Sequence, residues 1–324
     1  MSTASPDRLF ETYSRIASTN RAIFNTLHSV LTRFRQQGID CILLKGADLI
    51  PRLYAALGMR PMVDVDLLVR EQDLPTIDWI FKELGYYPQI DGNPAYVDPD
   101  FMVLFDLIST IWYADDLEEI WQRADRRMLD GIPVKGMGAN DLLLYLTMYV
   151  VVHRGCLSPV FAQDLALLID TETIDWPFIL TEASRLNLKV PLYHGFAYAS
   201  ERANAKIPPE VMRQLTPSSL SEKVLQFFLQ RLVTETRIDR VGFFLLFITQ
   251  PGFQKLRWLK TSVFPPMAFL KYRYGSRAEA NPFLLRVLRP WYLLFHAFLL
   301  SGRIVFALFK PYSSSAGPAL RRQV

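Results

Sequence analysis

Met62-Val63-Asp64-Val65-Asp66-Leu67-Leu68-Val69 is the stretch on which the fold turns. Its valines, leucines and alternating pattern read as a β-strand. Successive strand side chains leave opposite faces, so Asp64 and Asp66 project together. Val63, Val65 and Leu67 point the other way and are expected to bury. Two carboxylates set roughly 6–7 Å apart at the backbone repel unless a cation lies between them. Hard oxygen ligands suit Mg²⁺ or Mn²⁺, ions that also take phosphate oxygens and water.

The pattern on either side builds a small sheet. Leu9, Tyr13, Ile16, Phe24, Leu27, Leu31 and Phe34 keep near-helical spacing, which predicts one or two helices over residues 5–37. Cys41-Ile42-Leu43-Leu44 is wholly apolar and reads as a buried strand. Lys45-Gly46 breaks it, and Ala47 to Leu57 reads as a helix with Pro51 in its first turns. Leu74 to Leu84 is a further helix. Phe101 to Asp106 is a third strand, with Tyr96-Val97 a weaker one before it. Leu117 to Ala124 is a short helix, and Ile132 to Val134 an outlying strand.

After Ala139 the pattern is helical: Asp141 to His153, Val160 to Ile169, Trp176 to Leu186, Val190 to Ala203, and another helix opened by Pro208 and Pro209. The fold class is therefore α+β. An α/β domain with a small mixed sheet fills residues 1–135, and a mainly helical domain fills residues 136–250. Residues 251–324 form a basic, apolar helical extension, expected to be disordered from Ser313.

Three features point to phosphoryl chemistry. Asp106 closes an apolar strand, where it can join Asp64 and Asp66 as a third metal ligand and act as base toward an acceptor hydroxyl; alone, it could equally be a helix N-cap. Gly46 opens a helix, whose free N–H groups make an anion site. Lys45 adds positive charge against a triphosphate, and Arg60 is a second phosphate candidate. The plainer reading makes these a strand-to-helix turn and two surface cations. The four histidines and two cysteines show no zinc spacing, and no Walker-type loop or nucleophile elbow is present.

Ile42-Leu43-Leu44-Lys45-Gly46-Ala47, Arg60-Pro61-Met62 and Asp64-Val65-Asp66-Leu67-Leu68-Val69 together resemble the bacterial family of uncharacterised nucleotidyltransferases in the polymerase-β-like superfamily. Leu104-Phe105-Asp106-Leu107 is similar to that family's third-carboxylate strand. In the helical half, Asp141 to Leu146 with His153-Arg154, Gln163-Asp164-Leu165-Ala166 and Ile174-Asp175-Trp176 resemble its later helices. The resemblance spans about residues 20–215. It implies Mg²⁺- or Mn²⁺-dependent transfer from an NTP, with Asp64, Asp66 and Asp106 on the metal and Lys45, Gly46 and Arg60 on the triphosphate. His153 is a candidate contact to the acceptor substrate or a helix-end residue that complements the dipole, and Asp164 is an acceptor contact or a salt-bridge partner for Arg154. The chain departs from the family in two places. Ile108 stands where many members carry a histidine, and Lys45-Gly46-Ala47 stands where the superfamily usually has Gly-Ser.

Charge and hydropathy add a partner. From Pro251 onward there are 12 Lys/Arg against one acid, Glu279; that is +11 in a chain of net +4, so the remainder carries −7. The excess accompanies a Phe-, Leu- and Trp-rich segment, Pro282 to Phe309. Peripheral contact between residues 282–310 and an anionic membrane is expected over nucleic-acid binding, with a buried terminal helix as the plainer alternative. Two cysteines and a polar Met1–Arg8 fit a cytoplasmic setting, peripheral at the inner face of the membrane. Two alternatives stay open: a catalytically inert scaffold at the membrane surface, and a toxin-like enzyme modifying tRNA or protein.

Overall fold

The computed structural model describes residues 6–89, 94–100, 102–114, 116–249, 252–265, 270 and 282–309. They fall into two compact units that divide between Gly138 and Ala139.

The first unit opens with α1 (Pro6–Gln36), one continuous helix. Its buried stripe of Ile23, Phe24, Leu27, Val30, Leu31 and Phe34 lies against the sheet. There follow β1 (Cys41–Leu44), α2 (Lys45–Leu53), β2 (Asp64–Val69), α3 (Leu74–Glu83), β3 (Tyr87–Gln89), β4 (Ala95–Val97), β5 (Leu104–Ile108), α4 (Leu117–Gln122), β6 (Asp125–Leu129) and β7 (Ile132–Gly136). The strands form one mixed sheet in the order β3-β4-β5-β2-β1-β7-β6. β2 runs antiparallel to β1 and parallel to β5, and β1 runs parallel to β7.

The alternation of β2 and β5 sorts their two faces. Val65, Leu67, Phe105 and Leu107 join the core with Cys41, Leu43, Phe34 and Phe81. Phe81 anchors that core: it stacks on Tyr96 with ring centroids 4.4 Å apart and meets Phe105 at 5.4 Å. The residues between them, Asp64, Asp66 and Asp106, take the opposite face.

Several boundaries differ from the sequence reading. β2 begins at Asp64, so Val63 precedes the strand and is 76% exposed instead of buried. β5 begins at Leu104, because the Asp98 carboxylate accepts the N–H groups of Met102 and Val103 in a turn. Asp106 therefore lies inside its strand and caps no helix. α2 starts at Lys45 and stops at Leu53, and Leu57–Met59 forms a separate 3-10 turn drawn onto α1. The Asn20 amide of α1 donates to the carbonyls of Leu57 and Arg60, both at 2.7 Å. β7 is no outlier, since it pairs with both β1 and β6.

The second unit is helical throughout its described residues. α5 (Ala139–Met148) continues as a π-helix (Tyr149–Arg154). α6 (Pro159–Thr171), α7 (Trp176–Arg185), α8 (Lys189–Ala203), α9 (Pro209–Leu215), α10 (Leu220–Leu232), α11 (Val241–Thr249), α12 (Gly252–Val263) and α13 (Pro282–Phe309) follow. Ser158, Asp175 and Ser219 cap α6, α7 and α10 through their side chains. Ser313 to Val324 lies outside the described residues.

Candidate active site

The site is built where β2 lies between β1 and β5. Asp66 is in direct register with Asp106 across the parallel pair, and Asp64 is two residues up the same strand. Registered residues of adjacent strands share a face, as do residues i and i+2. The sheet alone therefore gathers the three carboxylates. Each offers an oxygen, and these oxygens all lie within 4.8 Å of one another. Asp66 is 2% exposed, while Asp64 and Asp106 are half-buried.

Such crowding out of water disfavours ionisation. Burial, with help from the neighbouring Asp64 and Asp106 charges, pushes Asp66 from the ordinary 3.8 up to about 6. Keeping it ionised in the fold costs on the order of 3 kcal/mol. Burial and then the Asp64 charge raise Asp106 as well. Folding raises the Asp66 pKa, so its contribution to stability is present below about pH 4 and is lost as pH climbs through about 6.

Lys45 opposes that trend. Leu44 is the β1 partner of Asp66, so the next residue emerges beside the carboxylate. The Lys45 ammonium sits 2.7 Å from Asp66 Oδ1. Lys45 reaches this place with a φ of 47°, the left-handed region that costs a non-glycine residue about 1–2 kcal/mol. The strain sits at the turn from β1 into α2.

Gly46 also has a packing constraint that the sequence reading did not foresee. A Cβ there would meet Met62 Sδ at 2.7 Å and Arg60 Nη1 at 3.0 Å. The missing side chain leaves room for Met62 and Arg60 beside the first turn of α2. Arg60 is thereby packed beside the start of α2, on a loop that Asn20 holds by its carbonyl.

Some contributors escaped the sequence reading. Asn20 is fully buried at a position where the apolar stripe of α1 calls for a hydrophobe, and that interruption was the available signal. Asp48 and Arg52 of α2 form a buried pair at 3.1 Å. Arg127 of β6 approaches the other Asp48 oxygen at 3.5 Å, and no local pattern foretells that pairing. His153 and Asp164 belong to the helical unit. His153 is exposed at the end of the π-helix, with its ring 5.4 Å from Tyr149, and Asp164 is buried in α6. At the far end of β2, a shallow depression is lined by Arg70, Glu71, Ser109, Glu118 and Trp121; it contains none of the three carboxylates.

Comparison with known proteins places the chain. Among solved structures, it is similar to a solution structure of the antibiotic-resistance factor ANT(2'')-Ia, at 16% identity and a TM-score of 0.39, over 52% of this chain and 90% of that one. It is also similar to a crystal structure of ANT(2")-Ia in complex with adenylyl-2"-tobramycin, at 14% identity and a TM-score of 0.39, over 51% and 96%. No curated protein matches it. The sequence model of a family described as "Uncharacterised nucleotidyltransferase" matches residues 2–204, well over half the chain and all of the carboxylate-bearing sheet. The chain belongs to that uncharacterised nucleotidyltransferase family.

Proposed function

We propose that this chain transfers a nucleoside monophosphate from an NTP to an acceptor hydroxyl or phosphate, with Asp64, Asp66 and Asp106 holding Mg²⁺ or Mn²⁺. The observation that carries this reading is the convergence of the three carboxylates, whose oxygens lie within 4.8 Å of each other. The group fits a small divalent ion. Its donors are all hard oxygens, and one lysine supplies less positive charge than three carboxylates carry. When bound, the ion supplies charge neutralisation at the triphosphate.

The protein's own groups do the rest. Asp106, half-buried at the edge of the group, accepts the acceptor's proton as its oxygen forms a bond to the α-phosphorus. The bond from the α-phosphorus to the bridging oxygen breaks, and pyrophosphate leaves. Lys45 balances Asp66 in the metal-free protein; with substrate, its charge serves the triphosphate together with Arg60 and the opening turn of α2. His153 and Asp164 are assigned to the acceptor. Both cysteines, Cys41 and Cys156, are free thiols, which suits a reducing, cytoplasmic compartment.

The test uses NTPs labelled at the α- or the γ-phosphate, incubated with the chain, Mg²⁺ and cell extract. Label is expected in an acceptor only from the α-position, and pyrophosphate is expected to appear with it. Chelation of the metal should abolish transfer. The rate should fall as pH drops through about 6, where Asp66 takes up its proton. Transfer of γ-label, or α-label transfer that survives chelation, would refute the assignment. The absence of any transfer would favour an inert scaffold.

A further inference from the structure

The proposed activity makes no use of α13, whose hydrophobic side faces away from the protein. Within Arg286–Phe309, the most apolar stretch of 18 residues has a mean hydropathy of 1.8, yet only 6% of it is buried within the protein. A narrow stripe at helical spacing, Arg289, Leu293, His296, Leu300 and Ile304, is the less exposed side, with Ile304 buried. Trp291, Leu294, Phe295, Phe298, Phe306 and Phe309 are 59–84% exposed. A helix on a water-exposed surface shows the reverse order.

We propose that α13 lies along an anionic lipid surface, with these outward side chains inserted at the boundary between headgroups and acyl chains. Charge identifies the occupant. α13 contains no acid and carries Arg286, Arg289 and Arg303, and the sequence from Pro251 onward holds 12 Lys/Arg against Glu279 alone. A wide apolar face with basic flanks is the pattern that binds negatively charged lipid, each cation near the surface adding to the attraction. Trp291 and Tyr292 are residue types enriched at the headgroup level. Leu256 and Leu259 of α12, and Phe264 just after it, are exposed as well, with Lys260 among them.

The helix lies on the surface instead of crossing it, because polar ties hold it to the helical unit at three points along its length. Arg289 Nε donates to the Ser262 carbonyl at 3.0 Å, Arg303 pairs with Asp239 at 3.2 Å, and Arg231 donates to the Leu308 carbonyl. A spanning orientation would drag these charged groups into hydrocarbon.

The full chain is mixed with vesicles of phosphatidylcholine alone or of phosphatidylcholine with phosphatidylglycerol, and floated on a density gradient. The wild type should float with the anionic vesicles, less so with the neutral ones, and less at raised salt. Trp291→Glu/Phe298→Glu alters only exposed positions and should lower the bound fraction at least ~10-fold with helicity and melting unchanged. A wild type that ignores anionic vesicles overturns the proposal, as does a double variant that floats equally well. A dimer that this variant splits, with no flotation by the wild type, would make the face a self-association surface instead. The readout needs no nucleotide, so its outcome is separate from that of the transfer assay.

Discussion

Asp66→Asn is expected to lower nucleotidyl transfer on the order of 10²–10³-fold or more without lowering the melting temperature of the metal-free protein. The two halves of this outcome share one cause. Asp66 is 2% exposed between two other carboxylates, and its ionised form is disfavoured enough to move its pKa to about 6. Asparagine keeps the shape and removes the charge, so the fold is relieved of a burden of order 3 kcal/mol. Lys45 loses its 2.7 Å ionic partner but keeps 13% exposure and still acts on the Asp106 carboxylate. A group retained for stability would show losses in both quantities when removed. One held under strain for chemistry shows a loss in rate alone. Initial rates of pyrophosphate release and a calorimetric scan measure the two halves. Near-normal rates, or a melting temperature that collapses with the rate, would contradict the role given to Asp66.

Arg52→Met is expected to destabilise the first unit by about 3–5 kcal/mol. Asp48 is 1% exposed, and the Arg52 side chain is 2% exposed. Arg52 Nη1 also donates to the Met137 carbonyl at 2.9 Å, and its Nη2 lies 3.7 Å from Asp125. The guanidinium thus ties α2 to the β6–β7 hairpin, on the same short helix that begins with Lys45. Burial already pushes the Asp48 carboxyl upward against the pull of Arg52 and Arg127. Removing Arg52 leaves Asp48 with Arg127 alone, at 3.5 Å. Adding Asp48→Leu should recover much of the loss, because an apolar pair of similar volume replaces buried ions at little net cost. Urea unfolding followed by near-ultraviolet circular dichroism measures both variants. A single substitution costing under about 1 kcal/mol would show that the network carries no more than a surface ion pair.

The central strands were legible because both of their faces are under constraint. In β2, Asp64 and Asp66 alternate with Val65 and Leu67, and the period of two survives whatever surrounds it. β1 is buried on both faces and reads as an unbroken apolar run. The edges were not legible. β3 is Tyr-Pro-Gln and β6 opens Asp-Arg-Arg, each paired on one side only, so neither needs an apolar alternation. The end of α2 was misplaced because it depends on Asn20, more than thirty residues earlier, drawing the next segment onto α1. Gly46 was read as backbone freedom for a ligand, and the closeness of the Met62 and Arg60 side chains to it was not legible in the sequence. Gly136 is similar: a Cβ there would lie 2.6 Å from Asp48 Oδ1, a contact between elements far apart in the chain. The carboxylate pair was a local property and the third carboxylate followed from one strand pairing, whereas the supporting network depends on distant contacts.

Anomalous scattering from Mn²⁺ bound to crystals of the full chain tests the account most directly. The predicted result is a peak ligated by oxygens of Asp64, Asp66 and Asp106, with the Lys45 ammonium withdrawn from Asp66, and no such peak in crystals of Asp66→Asn. A manganese ion bound elsewhere, or an intact Lys45–Asp66 pair with no ion among the three carboxylates at saturating metal, would contradict it.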